Sequence, residues 1–347
     1  MNSDIVIGIG HPAHVHFYKN AIKELSESGY KVHVVSKRRP LAIDLLQNYG
    51  IEHKVAGRLR IQHDSLLKTA LSFASFELDM INEARKHNPS VVTGVGNIPL
   101  SHASAIFDCE SLIFTDTEHA ELANRITFPF ADRIYTPDCY IGDIGIKQVR
   151  YPSYHELAYL HPKRFEPDPT VLDDVNVNPD DSFVILRLVA WNAIHDMGDS
   201  GFENLHDIVT ALEETGVEVF ITSEAPLPES VSDRRLTIEP HRIHDLMYYA
   251  DLFIGESATM ATESAVLGTP AIFVSSSRRG YTNELEDEYG LVFNYSGPNR
   301  QINGLNQAIS ILDEYDETVW RKRREQLLKE KIDTTDFIID QITSRQS

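Results

Sequence analysis

At 347 residues the chain is longer than one hydrophobic core usually organises, so two domains are expected. Hydrophobic residues at 42% and charged residues at 24% are ordinary for a globular protein, while 32 Lys+Arg against 52 Asp+Glu give a formal net charge of −20. That balance, with no long basic cluster, excludes a groove-lining nucleic-acid binder, and the two cysteines, Cys109 and Cys139, supply neither a disulfide framework nor metal-ligand spacing.

The opening MNSDIVIGIGHPAH runs straight into a strand without a basic leader. No apolar run reaches the roughly 18 residues a membrane span needs. A cytoplasmic protein without an integral membrane segment is therefore expected. Asp4 to Ile9 is a short apolar run ending at Gly10, the pattern of a buried parallel strand. HPAHVHFYKNAIKELSESG has helical spacing and stops at Gly29; YKVHVVSKR reads as a second strand, and Leu41 to Tyr49 as a helix stopped by Gly50. This β-α-β-α order with short connections predicts a doubly wound parallel sheet.

The alternation continues with a helix over Leu66 to His87 and strands at Ser90–Thr93, Ser111–Thr115 and Arg133–Thr136. Pro152 to Pro179 is rich in Pro and Asp and reads as an interdomain linker. A second β/α series opens at Phe183–Leu186, with later strands at Glu218–Thr222, Leu236–Ile238, Leu252–Ile254 and Ala271–Val274; the chain is helical from Asn303 onward. The expected fold class is α/β: two Rossmann-like domains, 1–165 and 166–347, facing each other across a cleft, with a C-terminal helical tail in the second. In such sheets ligands bind outside the carboxyl ends of the strands.

Two stretches at those ends carry chemistry. His11, His14 and His16 follow the first strand, where a helix start offers free N–H groups to an anion. The alternative is that they are helix-start residues with local hydrogen bonds. A metal-dependent hydrolase built on the three histidines is a further alternative, although no other cluster supplies additional ligands. The second stretch is GESATMATESAVLGTP, residues 255 to 270. Small residues in the first turn let the backbone approach an anionic group, and Glu263, about two turns in, suits the hydroxyls of a ribose unless it is a solvated helix residue.

GESATMATESAVLGTP resembles the nucleotide-sugar motif of GT-B glycosyltransferases and of the non-hydrolysing UDP-N-acetylglucosamine 2-epimerases. Glu256, Ser257, Glu263, Gly268 and Pro270 occupy the matching positions. HRIHDLMYYADLFIG, which contains His244, is similar to the segment leading into that motif. GHPAHVHFYKNAIKEL resembles the first loop and helix of the lipid-linked N-acetylglucosaminyltransferase of peptidoglycan synthesis, with His14 on that family's loop histidine and His11, Pro12 and Ala13 in place of its glycines. GVGN, TDTEHAELANR and AIHDMGDSGFENL follow the order of epimerase segments, except that Asn97 stands where epimerases have Asp. As a whole the chain looks most like an uncharacterised family of predicted glycosyltransferases.

The resemblance implies a glycosyltransferase that uses a nucleotide-activated sugar, a UDP-sugar such as UDP-GlcNAc, in polysaccharide biosynthesis. The acceptor would be a glycan or a lipid-linked group, destined for a cell-surface or secreted glycan. Arg187, His244, Glu256, Ser257, Ala258, Thr259 and Glu263 would hold the nucleotide sugar. His14, Asp116, Glu121 and His195 are the implied acid/base candidates, with Arg125 and Arg187 as charge partners. Asp116 and Glu118, like the His195-Asp196 pair, have the alternative of helix-cap or turn roles. No metal or other cofactor is expected, since no Asp-x-Asp occurs in the sequence and helix dipoles and cationic side chains can neutralise a leaving diphosphate. A UDP-sugar 2-epimerase is the alternative enzyme, and a non-catalytic sugar-nucleotide sensor the bland one. Self-association is compatible with either.

Overall fold

The computed structural model describes residues 4–57, 66–188, 205–223 and 225–344, with 66–73 as backbone only. The chain divides into two units, Met1–Arg164 with Ile332–Ser347, and Phe165–Lys331.

The first unit is built on a seven-stranded, all-parallel sheet. Its strands are β1 (Asp4–Ile9), β2 (Lys31–Lys37), β3 (His53–Ala56), β4 (Val91–Val95), β5 (Glu110–Phe114), β6 (Arg133–Pro137) and β7 (Gln148–Tyr151), in the order β3-β2-β1-β4-β5-β6-β7. Ile5, Val6 and Ile7 of β1, Val91 and Val92 of β4, and Leu112, Ile113 and Phe114 of β5 have no exposed surface. Burial on both faces is why these strands read as continuous apolar runs rather than alternating ones. Gly8 and Gly94 let β1 and β4 close over Asn97: a Cβ on Gly8 would lie 2.3 Å from the Asn97 amide nitrogen, and one on Gly94 2.7 Å from Asn97 Cβ.

The second unit carries a five-stranded parallel sheet of β8 (Phe183–Leu188), β9 (Glu218–Ser223), β10 (Leu252–Gly255), β11 (Ala271–Val274) and β12 (Val292–Tyr295), ordered β12-β11-β10-β8-β9. Strand order reverses between β8 and β10, and in the first unit between β1 and β4, the switch points at which ligands bind in open α/β sheets. Among the described residues no helix is long and apolar enough to cross a membrane.

Three expectations need correction. Pro152–Pro179 is not a linker: Tyr154, Leu157, Ala158 and Leu160 have no exposed surface, and the helix Leu157–Leu160 packs in the first unit. Proline there starts and stops short elements instead of keeping the chain out of the core. The C-terminal tail does not stay with the second unit. Ile332 donates its N–H to Pro152 O (3.0 Å), Thr334 Oγ1 bonds Tyr154 O (2.7 Å), and Thr335 Oγ1 bonds Ala158 O (2.7 Å). Phe337 stacks on Tyr151 with ring centroids 4.8 Å apart, and Arg164 pairs with Glu24, Asp333 and Asp336. The chain thus crosses out of the first unit after Arg164 and returns at Ile332. Finally, the strand expected at Leu236–Ile238 shrinks to a single bridge from Arg235 to Ile221, while the short strands β3, β7 and β12 were not anticipated.

Candidate active site

The carboxyl edge of the first sheet gathers side chains from four strand ends. After β1, Pro12 at the first turn presets the helix Pro12–Glu27, and His11 caps it by accepting the Ala13 N–H at Nδ1 (3.3 Å). The Gly10 N–H donates to His14 Nδ1 (3.2 Å), so the ring is neutral and its proton sits on Nε2. Burial, followed by the charges of His11, His155 and Arg39, lowers the His14 pKa to about 3, in agreement with that tautomer. His16 is buried on the far side of the helix, 3.3 Å from the Tyr49 hydroxyl and against the Tyr159 ring. The three histidines therefore do not converge on one point, and each has a partner of its own.

After β4, Asn97 is buried and accepts the Leu100 N–H at Oδ1 (3.2 Å), capping the helix Ile98–Ile106. The position that holds an Asp in the epimerase pattern is here a helix cap wedged between two glycines.

After β5, Asp116 Oδ1 accepts the Thr117 hydroxyl (2.9 Å), and Asp116 Oδ2 lies 3.2 Å from His155 Nδ1. His155, just past β7, is 8% exposed and lies against the Phe17 ring at 4.5 Å. It was not singled out from the sequence, because the stretch around it reads as a linker. Its neighbour Tyr151 is buried, with Asp116 among the charges that raise the phenol pKa after burial itself. Glu118 accepts the Ile141 N–H (3.2 Å). Glu121 and Arg125 lie apart from this group on the exposed face of the helix Glu121–Thr127, where with Glu118 and Tyr140 they line a surface cavity of about 670 Å³. His195 lies outside the described residues.

At the amino edge of the same sheet Asp4, His33 and His87 bring ligand-type atoms within 4.8 Å of one another. The two rings stack with centroids 3.6 Å apart, so an ion in the plane of one would stand well off the plane of the other.

The second unit's edge is organised around the helix Ala258–Leu267. Ser257 caps it by accepting the Met260 N–H (3.3 Å), and Gly268 ends it at φ +97°. The amides of Ala258 and Thr259, in the first turn, have no intrahelical acceptor and carry the positive end of the helix dipole. Gly255 pairs with Arg187 across β10 and β8; a Cβ there would lie 2.7 Å from Arg187 Cβ, so glycine is what lets the two strand ends close. Glu256 N donates to Arg187 O (3.3 Å). Arg187, Glu256, Ser257, Ala258 and Thr259 thus share one strand-end cluster. Glu263 is not a solvated residue: it is 5% exposed and bonded at Oε1 to Nε2 of His244 (2.9 Å), itself 3% exposed. Other parts of the motif are internal braces, with Ser264 Oγ on Thr269 O (2.9 Å) and Thr269 Oγ1 on Met247 O (2.8 Å).

The family model described as "Protein of unknown function (DUF354)" matches residues 3–343. The chain belongs to this family. An uncharacterized protein of Methanocaldococcus jannaschii is 23% identical over 291 residues, which is 78% of this chain and 82% of the relative. Among solved structures, the UDP-GlcNAc 2-epimerase of Neisseria meningitidis bound to UDP-GlcNAc matches with a TM-score of 0.67 at 13% identity, covering 97% of this chain and 98% of that one. SsfS6, a glycosyltransferase of Streptomyces sp. SF2575, matches with a TM-score of 0.60 at 12% identity, covering 96% and 99%. The two parallel-sheet, Rossmann-like units are those of the GT-B fold, as the sequence motifs implied.

Proposed function

We propose that the chain is an enzyme that takes a nucleotide-activated sugar, and that it is a glycosyltransferase using a UDP-sugar as donor. The observation that carries this reading is the β10 edge: a dipole end whose first two amides have no intrahelical acceptor, beside Arg187 and Glu256 and backed by the buried Glu263–His244 pair. An amide-lined helix start with a guanidinium suits a diphosphate and neutralises it as it leaves, so no metal is required. His244 presets the Glu263 carboxylate for a ribose hydroxyl. His14 and Asp116, at the carboxyl edge of the first unit's sheet, would serve a glycan or lipid-linked acceptor.

The matched epimerase bound to UDP-GlcNAc favours a second reading, a UDP-sugar 2-epimerase. Asn97 weighs against it, because an amide that caps a helix carries no proton for C2. Titration calorimetry against UDP-GlcNAc and the corresponding GDP-, CMP- and dTDP-sugars tests the ligand class. UDP-GlcNAc is expected to bind with EDTA present, and Glu263→Gln to weaken it by on the order of 1.5–3 kcal/mol if a charge-assisted bond is lost. Failure of every nucleotide sugar to bind would remove the reading. Incubation with UDP-GlcNAc and no acceptor separates the two enzymes, since only an epimerase changes the configuration at C2.

A further inference from the structure

Proton transfer in the first unit was expected of His14 or Asp116, and the geometry disfavours both as the base. The Nδ1 lone pair of His14 is taken by the Gly10 N–H and its other nitrogen carries the proton, so that ring donates. Both oxygens of Asp116 are engaged, one by the Thr117 hydroxyl and the other by His155 Nδ1.

His155 is different. A carboxylate on Nδ1 fixes the imidazole proton there and leaves the lone pair on Nε2. That Nε2 is buried and has no hydrogen-bond partner among the described residues. Buried polar atoms without partners are rare, and a histidine kept only for packing would gain by satisfying the second nitrogen. His155 therefore keeps a bare nitrogen, the acceptor that a hydroxyl proton needs.

We propose that His155 Nε2 is the proton acceptor at this sheet edge and that Asp116 is its positioning residue; the step rests on the nucleotide-sugar reading above. As the acceptor oxygen bonds to the anomeric carbon, its proton passes to Nε2. The bond from that carbon to the diphosphate oxygen breaks, and its electron pair leaves with the nucleotide.

The test combines a tautomer measurement, which needs no substrate, with a rate. Nitrogen NMR of histidine-labelled protein is expected to show His155 protonated at Nδ1 and bare at Nε2, with the preference lost in Asp116→Asn. His155→Gln should lower UDP release from UDP-GlcNAc about 10²–10⁴-fold while its dissociation constant for UDP-GlcNAc stays within about threefold. Melting temperatures establish that both variants are folded, and Asp116→Asn serves should His155→Gln fail to fold. A wild-type rate in His155→Gln with UDP-GlcNAc still bound overturns the proposal and leaves the nucleotide-sugar reading standing. Absence of UDP-GlcNAc binding in the wild type removes that reading instead. In that case, or where UDP-GlcNAc binds without turnover, the tautomer decides: a proton on Nε2, or no response to Asp116→Asn, overturns the dyad, and the expected pattern upholds it.

Discussion

His14 shows how one backbone contact settles a side chain's chemistry. The Gly10 N–H can donate to Nδ1 only while the ring is neutral, and desolvation, with the charges of His11, His155 and Arg39, holds its pKa near 3. The folded pKa lies below the unfolded one of about 6.5, so the stabilisation is fully present above that pH and is lost as pH falls from there towards 3. The slope is at most about 1.4 kcal/mol per pH unit, because one proton is involved. Urea unfolding of wild type and His14→Gln at pH 7 and pH 5 checks this, with the variant expected to lose less stability between them. An equal loss in both would mean that His14 is not the residue taking up the proton. From the sequence, His14 was legible as a strand-end histidine. Its role as donor was not, because the tautomer depends on where the Gly10 amide points. His155 was missed for a related reason: its partner Asp116 is 39 positions away in the chain, and only the sheet order β5-β6-β7 brings them together.

At the level of the element, GESATMATESAVLGTP shows sequence and structure agreeing on position and differing on task. The strand, cap, helix and stop fall where the motif places them, at β10, Ser257, Ala258–Leu267 and Gly268. Yet Ser264 and Thr269 brace the turn, and Glu263 faces inward to His244. Gly268 is required twice over, by φ +97° and by the Arg324 side chain, whose Cδ would lie 2.8 Å from an added Cβ while its Nε bonds Val266 O. Gly268→Ala is accordingly expected to cost roughly 1–3 kcal/mol through left-handed backbone strain plus the displaced arginine. Thermal unfolding measures it; an unchanged melting temperature would show that the helix end relaxes freely. The short strands β3 (HKVA), β7 (QVRY) and β12 (VFNY) escaped detection because polar residues interrupt them, whereas the equally short β10 (LFIG) and β11 (AIFV) are unbroken apolar runs up to the closing glycine of β10.

For the whole molecule, the decisive feature is the return of the C-terminal helix Thr334–Thr343 to the first unit. The tail was legible as helix but not as to which core it covers, since an apolar stripe does not name its partner. Phe337 lies on Tyr151, near Tyr135 and Phe114, and Asp333 meets the largely buried Arg164 guanidinium. A chain ending at Lys331 would expose those rings and strip Arg164 of two of its three carboxylates. Such a truncation is expected to lower the melting temperature of the first unit, with calorimetry of residues 1–331 resolving its transition from that of the second. A first-unit transition unmoved by the truncation would show that the helix adds nothing to that core.

The same return has a consequence for biosynthesis. A ribosome releases the residues that finish the first unit only after it has made the second one whole. At bacterial-type elongation rates the intervening 165–331 segment takes roughly 10–30 s to appear. Throughout that interval the nascent first unit carries the uncovered aromatic surface of Tyr135 and Tyr151. The second unit, contiguous in the chain, can fold to completion first, so the part of the protein made earliest is the part completed last.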